Sequence, residues 1–135
     1  MIHLVLGGAR SGKSGYAESQ VLKRLTEHTA QSRQTELQRF ECFYFATAQA
    51  LDNEMDERIS HHQTQRQTDA INWRTIECPY QLSAGLQACA TENSIILVDC
   101  LTLWLTNHLL KNEDDWQQVK AAFLHTLAEL PGSVV

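Results

Sequence analysis

The 135-residue chain contains four cysteines, Cys42, Cys78, Cys89 and Cys100, and no two of them lie close enough to make a C-x-x-C pair. That spacing argues against a zinc site and against a thioredoxin-like motif, and it fits reduced, mostly buried thiols of a cytosolic protein. Basic residues are few: 11 Lys and Arg stand against 16 Asp and Glu, a net charge of -5, and they are scattered. The chain therefore offers no electrostatic footprint for nucleic acid or for an anionic membrane. No apolar run approaches the ~20 residues needed to span a bilayer. Because the first apolar run begins at Ile2, no room is expected for a signal peptide, and the expected location is cytoplasmic. Also missing are a D-x-x-G after a strand and an N-K-x-D signature, which sets signalling GTPases aside. Hydrophobic residues make up 43% of the chain, enough for one globular domain with a core, so residues 1–135 are read as a single domain.

Against these absences stands Leu4-Val5-Leu6-Gly7-Gly8-Ala9-Arg10-Ser11-Gly12-Lys13-Ser14, an apolar run leading directly into G-x-x-x-x-G-K-S. Gly7 and Gly12 permit turns that a Cβ would forbid, so that the backbone N–H groups of Gly8, Ala9, Arg10 and Ser11 can point at phosphate oxygens. Lys13 supplies a cation for the β- and γ-phosphates and Ser14 a hydroxyl for Mg²⁺. Residues 2–6 read as a buried strand. From Lys13 to about His28, Tyr16, Ala17, Val21 and Leu25 recur at helical spacing, which predicts a helix whose N-terminus faces the phosphates. This is a P-loop, and it implies a nucleoside triphosphate.

Residues 26–39 are polar, with Leu37 the only large aliphatic, and read as a solvated helix extension or surface loop. Strands are expected at Phe43–Thr47, Trp73–Glu77 and Ser94–Asp99. Helices are expected from Leu51 through Met55, Ile59 and His62, from Pro79 through Cys89, over Leu101–Leu110 and over Trp116–Leu130. Pro131-Gly132-Ser133 signals a turn, and Val134-Val135 reads as the opening of another buried strand, so the domain is expected to be incomplete at its C-terminus. Alternating strands and helices behind a P-loop predict an α/β fold, a mostly parallel sheet with helices on both faces.

Two further groups carry chemistry. Asp99 ends the run Ile95-Ile96-Leu97-Val98 and has the form of a Walker B acid that holds Mg²⁺ directly or through water. The other group is Arg58, His61, His62 and Arg66. Adjacent histidines on a helix point about 100° apart, which suits them poorly to share one metal. Arg58 lies one turn before the pair and Arg66 one turn after His62, so guanidinium forks for phosphate surround an imidazole whose charged form they disfavour.

The blocks G-G-A-R-S-G-K-S, F-A-T-A-Q-x-L-D-x-E-M-x-x-R-I-x-x-H-H-x-x-x-R, W-R-T-x-E and L-V-D-C-L-T-x-x-x-T-N, in this order, closely resemble the bifunctional adenosylcobinamide kinase / adenosylcobinamide-phosphate guanylyltransferase family of cobalamin assembly. The resemblance implies a RecA-like P-loop fold and two activities. One is phosphorylation of adenosylcobinamide by ATP or GTP with Mg²⁺. The other is transfer of GMP from GTP to adenosylcobinamide-phosphate through a guanylylated histidine, which matches His61. It further implies nucleotide-site roles for Arg58, His62 and Arg66, and a homotrimer in the full-length protein. Residues 26–39 look like an insertion, and an N-E-V-G block towards the family's C-terminus has no counterpart in this chain. A monofunctional P-loop small-molecule kinase and a non-catalytic nucleotide-binding module are the alternatives.

Overall fold

The computed structural model describes residues 1–31, 40–49 and 71–135. Helix α1 spans Lys13–Gln31, followed by β1 (Glu41–Ala46), β2 (Trp73–Glu77), α2 (Leu82–Cys89), β3 (Ser94–Asp99), α3 (Leu101–Lys111), a single 3₁₀ turn (Glu113–Asp115), α4 (Trp116–Glu129) and β4 (Ser133–Val134). The strands form one parallel sheet in the order β2-β1-β3-β4. The expected strands at 73–77 and 94–99 appear with those bounds, and the aromatic strand starts two residues earlier, at Glu41.

Successive side chains of a strand point to opposite faces, and the core divides accordingly. Phe43, Phe45 and Ile96 face α2, α3 and α4, where Leu82, Leu86, Trp104 and Phe123 complete one apolar cluster. Cys42, Tyr44, Ala46, Ile95 and Leu97 face α1, where Ala17 and Val21 complete the other. Strand β1 lies in the middle of the sheet and is buried continuously from Cys42 to Ala46, as a strand covered on both faces must be. At the β2 edge, Arg74 reaches across to Glu41 (2.8 Å) and lies over the Phe43 ring, so the outermost strand presents charge rather than apolar surface. Tyr16, expected on the buried stripe of α1, is 53% exposed, because the stripe that meets the sheet runs through Ala17 and Val21.

Residues 2–6 depart from the expected buried strand. Only Ile2 bridges to a neighbour, Val134, in parallel sense, while Leu4 and Leu6 are 63% and 83% exposed. The reason is a shortage of partner backbone. His3 N donates to Val134 O and Val134 N to Met1 O, but β4 contributes only Ser133 and Val134, so Leu4, Val5 and Leu6 have no described strand beside them to complete a ladder. Val5 still turns inward to the α1 cluster, preserving the alternation of a strand. The expectation for Val134 and Val135 holds: Val135 N donates to Ile96 O and Val98 N to Val135 O, which seats this segment between β3 and the chain's first residues.

Candidate active site

The G-x-x-x-x-G-K-S loop connects the N-terminal segment to α1. Arg10 and Gly12 both adopt positive φ, 54° and 81°, and these two left-handed residues curl the loop back over itself. A Cβ on Gly7 would lie 2.7 Å from Ser11 Oγ and 2.9 Å from Lys13 Cγ, so a larger residue here would force those side chains to shift. Lys13 Nζ donates to Gly8 O at 2.6 Å, placing the ammonium across the mouth of the loop. The first helical hydrogen bond, Tyr16 N to Gly12 O, leaves the amides of residues 13–15 ahead of the ladder. With no acid in the first turn of α1, the helix dipole and these amides favour an anion. Gly7, Gly8, Ala9, Arg10, Ser11 and Gly12 are all exposed, and Lys13 and Ser14 partly so.

Asp99 stands at the C-terminal end of β3, on the face that α1 covers. Ser14 Oγ donates to Asp99 Oδ2 at 3.2 Å, and the Tyr44 hydroxyl donates to the same oxygen. The structure thus brings the P-loop hydroxyl together with Asp99, the acid expected in the Walker B role. A hydroxyl and a carboxylate at this separation are hard oxygen donors of the kind Mg²⁺ accepts alongside phosphate oxygens and water, so the pair fits the ion. Among the described residues no group of three or more His, Cys, Asp or Glu gathers.

The C-terminal ends of the strands are tied together by a network that the sequence analysis does not anticipate. Thr47, fully buried, accepts from Cys100 N (2.8 Å) and donates to Cys100 O (2.7 Å) through one hydroxyl, and its own N–H donates to Asp99 O at 3.1 Å. Asn107 of α3 is buried, and its Nδ2 donates to Thr47 O (2.8 Å) and Pro79 O (3.0 Å). Trp104 Nε1 donates to Tyr80 O at 2.9 Å, and His108 Nε2 lies 3.0 Å from the same carbonyl. The backbones that leave β1, β2 and β3 are therefore fixed relative to one another at the edge where parallel α/β sheets bind ligands. Thr47 and Asn107 fall inside the F-A-T-A-Q and T-x-x-x-T-N blocks, and that membership is the only signal in the sequence that could have drawn attention to them.

Arg58, His61, His62 and Arg66 lie outside the described residues. All four cysteines are free thiols. Burial pushes the Cys42 thiol up to about 11. Cys78 and Cys89 are also raised, by burial first and, for Cys78, by the neighbouring Cys89, so none of these three is poised as a thiolate nucleophile at neutral pH. Among the described residues no helix is long and apolar enough to cross a membrane.

Loop, helix N-terminus and acid-tipped strand define a P-loop nucleotide-binding protein of the α/β class. The chain belongs to the family described as cobinamide kinase / cobinamide phosphate guanyltransferase, whose model matches residues 3–135. It is 44% identical to the bifunctional adenosylcobalamin biosynthesis protein CobP of Pseudomonas aeruginosa, over all of this chain and 69% of that protein. It is 37% identical to the bifunctional adenosylcobalamin biosynthesis protein CobU of Escherichia coli, over 86% of this chain and 57% of that protein. The protein of the same name from Salmonella typhimurium is 38% identical over 87% of this chain and 56% of its own length. The chain thus spans between 56% and 69% of the length of these curated relatives.

Proposed function

We propose that the chain is a nucleotide-dependent transferase of cobalamin biosynthesis that phosphorylates adenosylcobinamide with ATP or GTP and then transfers GMP from GTP to the product, giving adenosylcobinamide-GDP. The single observation that supports this best is the 3.2 Å approach of Ser14 Oγ to Asp99 Oδ2 over the P-loop, in a chain that the family model matches over residues 3–135.

In the first reaction the substrate hydroxyl oxygen attacks the γ-phosphorus, the bridging P–O bond breaks, the nucleoside diphosphate leaves and the hydroxyl proton passes to solvent. Ser14 and Asp99 would hold Mg²⁺, which would offset charge on the β- and γ-phosphates. The loop amides grip the phosphate oxygens, and Lys13 turns its ammonium from Gly8 O towards the transferring group, where it stabilises charge that grows in the transition state. Arg10, exposed at the bend of the loop, is a further cation available to the phosphates.

In the second reaction a nitrogen of His61 attacks the α-phosphorus of GTP and pyrophosphate leaves. A phosphate oxygen of adenosylcobinamide-phosphate then displaces His61 from phosphorus. Arg58, His62 and Arg66 are assigned to the nucleotide site of this step. The assembly that accompanies this reading is a homotrimer, the compartment is the cytoplasm, and residues 1–135 contribute a single P-loop domain.

Supplying the protein with adenosylcobinamide and Mg²⁺, together with either γ-labelled ATP or α-labelled GTP, tests the whole scheme. Label on the corrinoid from γ-labelled ATP, and label from α-labelled GTP first on the protein and then on the corrinoid, is expected. Label from γ-labelled ATP alone would leave a monofunctional kinase, and label from neither a nucleotide-binding module without turnover.

A further inference from the structure

Tyr44 lies on the central strand β1, and its side chain belongs to the α1-facing cluster with Cys42, Ala46, Ala17 and Val21. The parallel register pairs Tyr44 with Leu97 and Ala46 with Asp99, so the tyrosine is diagonal to the acid on the adjacent strand and on the same face. Diagonal positions are about 7–8 Å apart, a gap an aromatic side chain can bridge. Tyr44 does so: its ring is 2% exposed, set edge-on to Trp73 with centroids 5.6 Å apart, and its hydroxyl donates to Asp99 Oδ2. That oxygen is also the one that accepts from Ser14. The backbone of Asp99 is held independently, through Thr47 N to Asp99 O and through the Thr47 hydroxyl on Cys100. The side chain is therefore the part of Asp99 whose orientation is still open, and Tyr44 fixes it from beneath the helix.

We propose that Tyr44 is a positioning residue for the metal carboxylate: the phenol hydroxyl on Asp99 Oδ2 keeps that oxygen turned towards Ser14 when the serine hydroxyl is committed to a cation. The inference rests on the reading of Ser14 and Asp99 as the Mg²⁺-holding pair. A partner that orients a ligating carboxylate is commonly worth about 10–100-fold in metal affinity. Tyr44→Phe removes the hydroxyl and retains the ring that packs against Trp73.

The test compares Mn²⁺ binding, followed by the electron paramagnetic resonance of free Mn²⁺ in the presence of a non-hydrolysable triphosphate, in the wild type, Tyr44→Phe and Asp99→Asn. The expected result is an Mn²⁺ dissociation constant raised about 10-fold or more in Tyr44→Phe and further in Asp99→Asn, with triphosphate affinity in EDTA unchanged within twofold for Tyr44→Phe. A Tyr44→Phe value within twofold of wild type, beside a weakened Asp99→Asn, would overturn the positioning role and leave the metal pair standing. Undiminished Mn²⁺ affinity in Asp99→Asn would overturn the metal pair and the positioning role together. A measurement on the wild-type sequence removes any dependence on how the variant folds. With 3-fluorotyrosine at the three tyrosines and assignment by Tyr16→Phe and Tyr80→Phe, the Tyr44 fluorine resonance should shift when Mg²⁺ is added to the triphosphate-bound protein. A resonance that stays in place throughout a saturating Mg²⁺ titration would overturn the proposal.

Discussion

Ser14 and Asp99, 85 positions apart in the chain, meet with Oγ 3.2 Å from Oδ2. The contact exists because α1 starts immediately after the phosphate loop and lies on the face of the sheet to which the side chain of Asp99 turns. A helix N-terminus, a hydroxyl and a carboxylate thereby converge on one point, the arrangement that phosphoryl transfer requires of a protein that supplies positioning and charge rather than covalent chemistry.

Lys13→Ala should reduce phosphorylation of adenosylcobinamide by about 10²–10³-fold or more, because the ammonium now resting on Gly8 O would act chiefly on charge developed in the transition state. Initial rates with γ-labelled ATP, at several cobinamide concentrations, measure it. Near-normal turnover would remove Lys13 from the mechanism.

His61→Ala should retain phosphorylation and lose covalent GMP, since attack by a substrate hydroxyl needs no protein nucleophile and guanylyl transfer through an N–P bond does. His62→Ala should keep phosphorylation, and it should keep covalent GMP as well if the second imidazole only packs or orients. The measurement is acid-labile, alkali-stable uptake of GMP from α-labelled GTP by the wild type and each variant. Loss confined to His62→Ala would move the nucleophile one residue along.

Asn107→Ala should destabilise the protein by about 1–3 kcal/mol, because the buried carbonyl of Thr47 and the partly buried carbonyl of Pro79 lose their shared donor. Asn107→Asp should be worse near neutral pH, where a carboxylate would face those two carbonyl oxygens. Chemical denaturation followed by far-UV circular dichroism reports both. A loss under about 0.5 kcal/mol for Asn107→Ala would show that the strand ends are held by other bonds.

Stability should decline in alkali. Burial raises the Cys42 thiol from 9.0 to about 11, so between those values the unfolded chain releases a proton that the folded chain keeps. The stabilisation from the neutral buried thiol is complete below pH 9.0 and is lost as pH rises towards 11. Cys78 and Cys89 shift in the same direction and add to the slope. Thermal melts across this range should show a shallower decline for Cys42→Ala than for the wild type, and equal slopes would place the sensitivity elsewhere.

Much of the fold is legible along the chain because its signals are local. The aliphatic run ending in Asp99, the aromatic strand at 41–46, the spacing of Leu82 and Leu86, and the glycines of the loop each act within a few residues. The family resemblance likewise rests on contiguous blocks. Residues 2–6 escape this reading, since an apolar run states that a segment can be a strand but not whether backbone is present beside it to pair with. Tyr44 and Asn107 escape it for another reason: a buried tyrosine reads as core and a buried asparagine on a helix as an accident of sequence until their partners are known.

The sequence by itself determined the phosphate loop, the acid at the end of β3, the parallel α/β class and membership of the family, all properties carried by short stretches whose chemistry does not depend on the rest of the chain. Only the tertiary structure decided that β4 lies between β3 and the first residues, that Thr47 and Asn107 bind the strand ends together, and that the Tyr44 hydroxyl and the Ser14 hydroxyl share one oxygen of Asp99. Those relationships depend on strand order and on which face each side chain takes. Both are set by packing among segments tens of residues apart, where hydrophobic pattern alone is silent about partners.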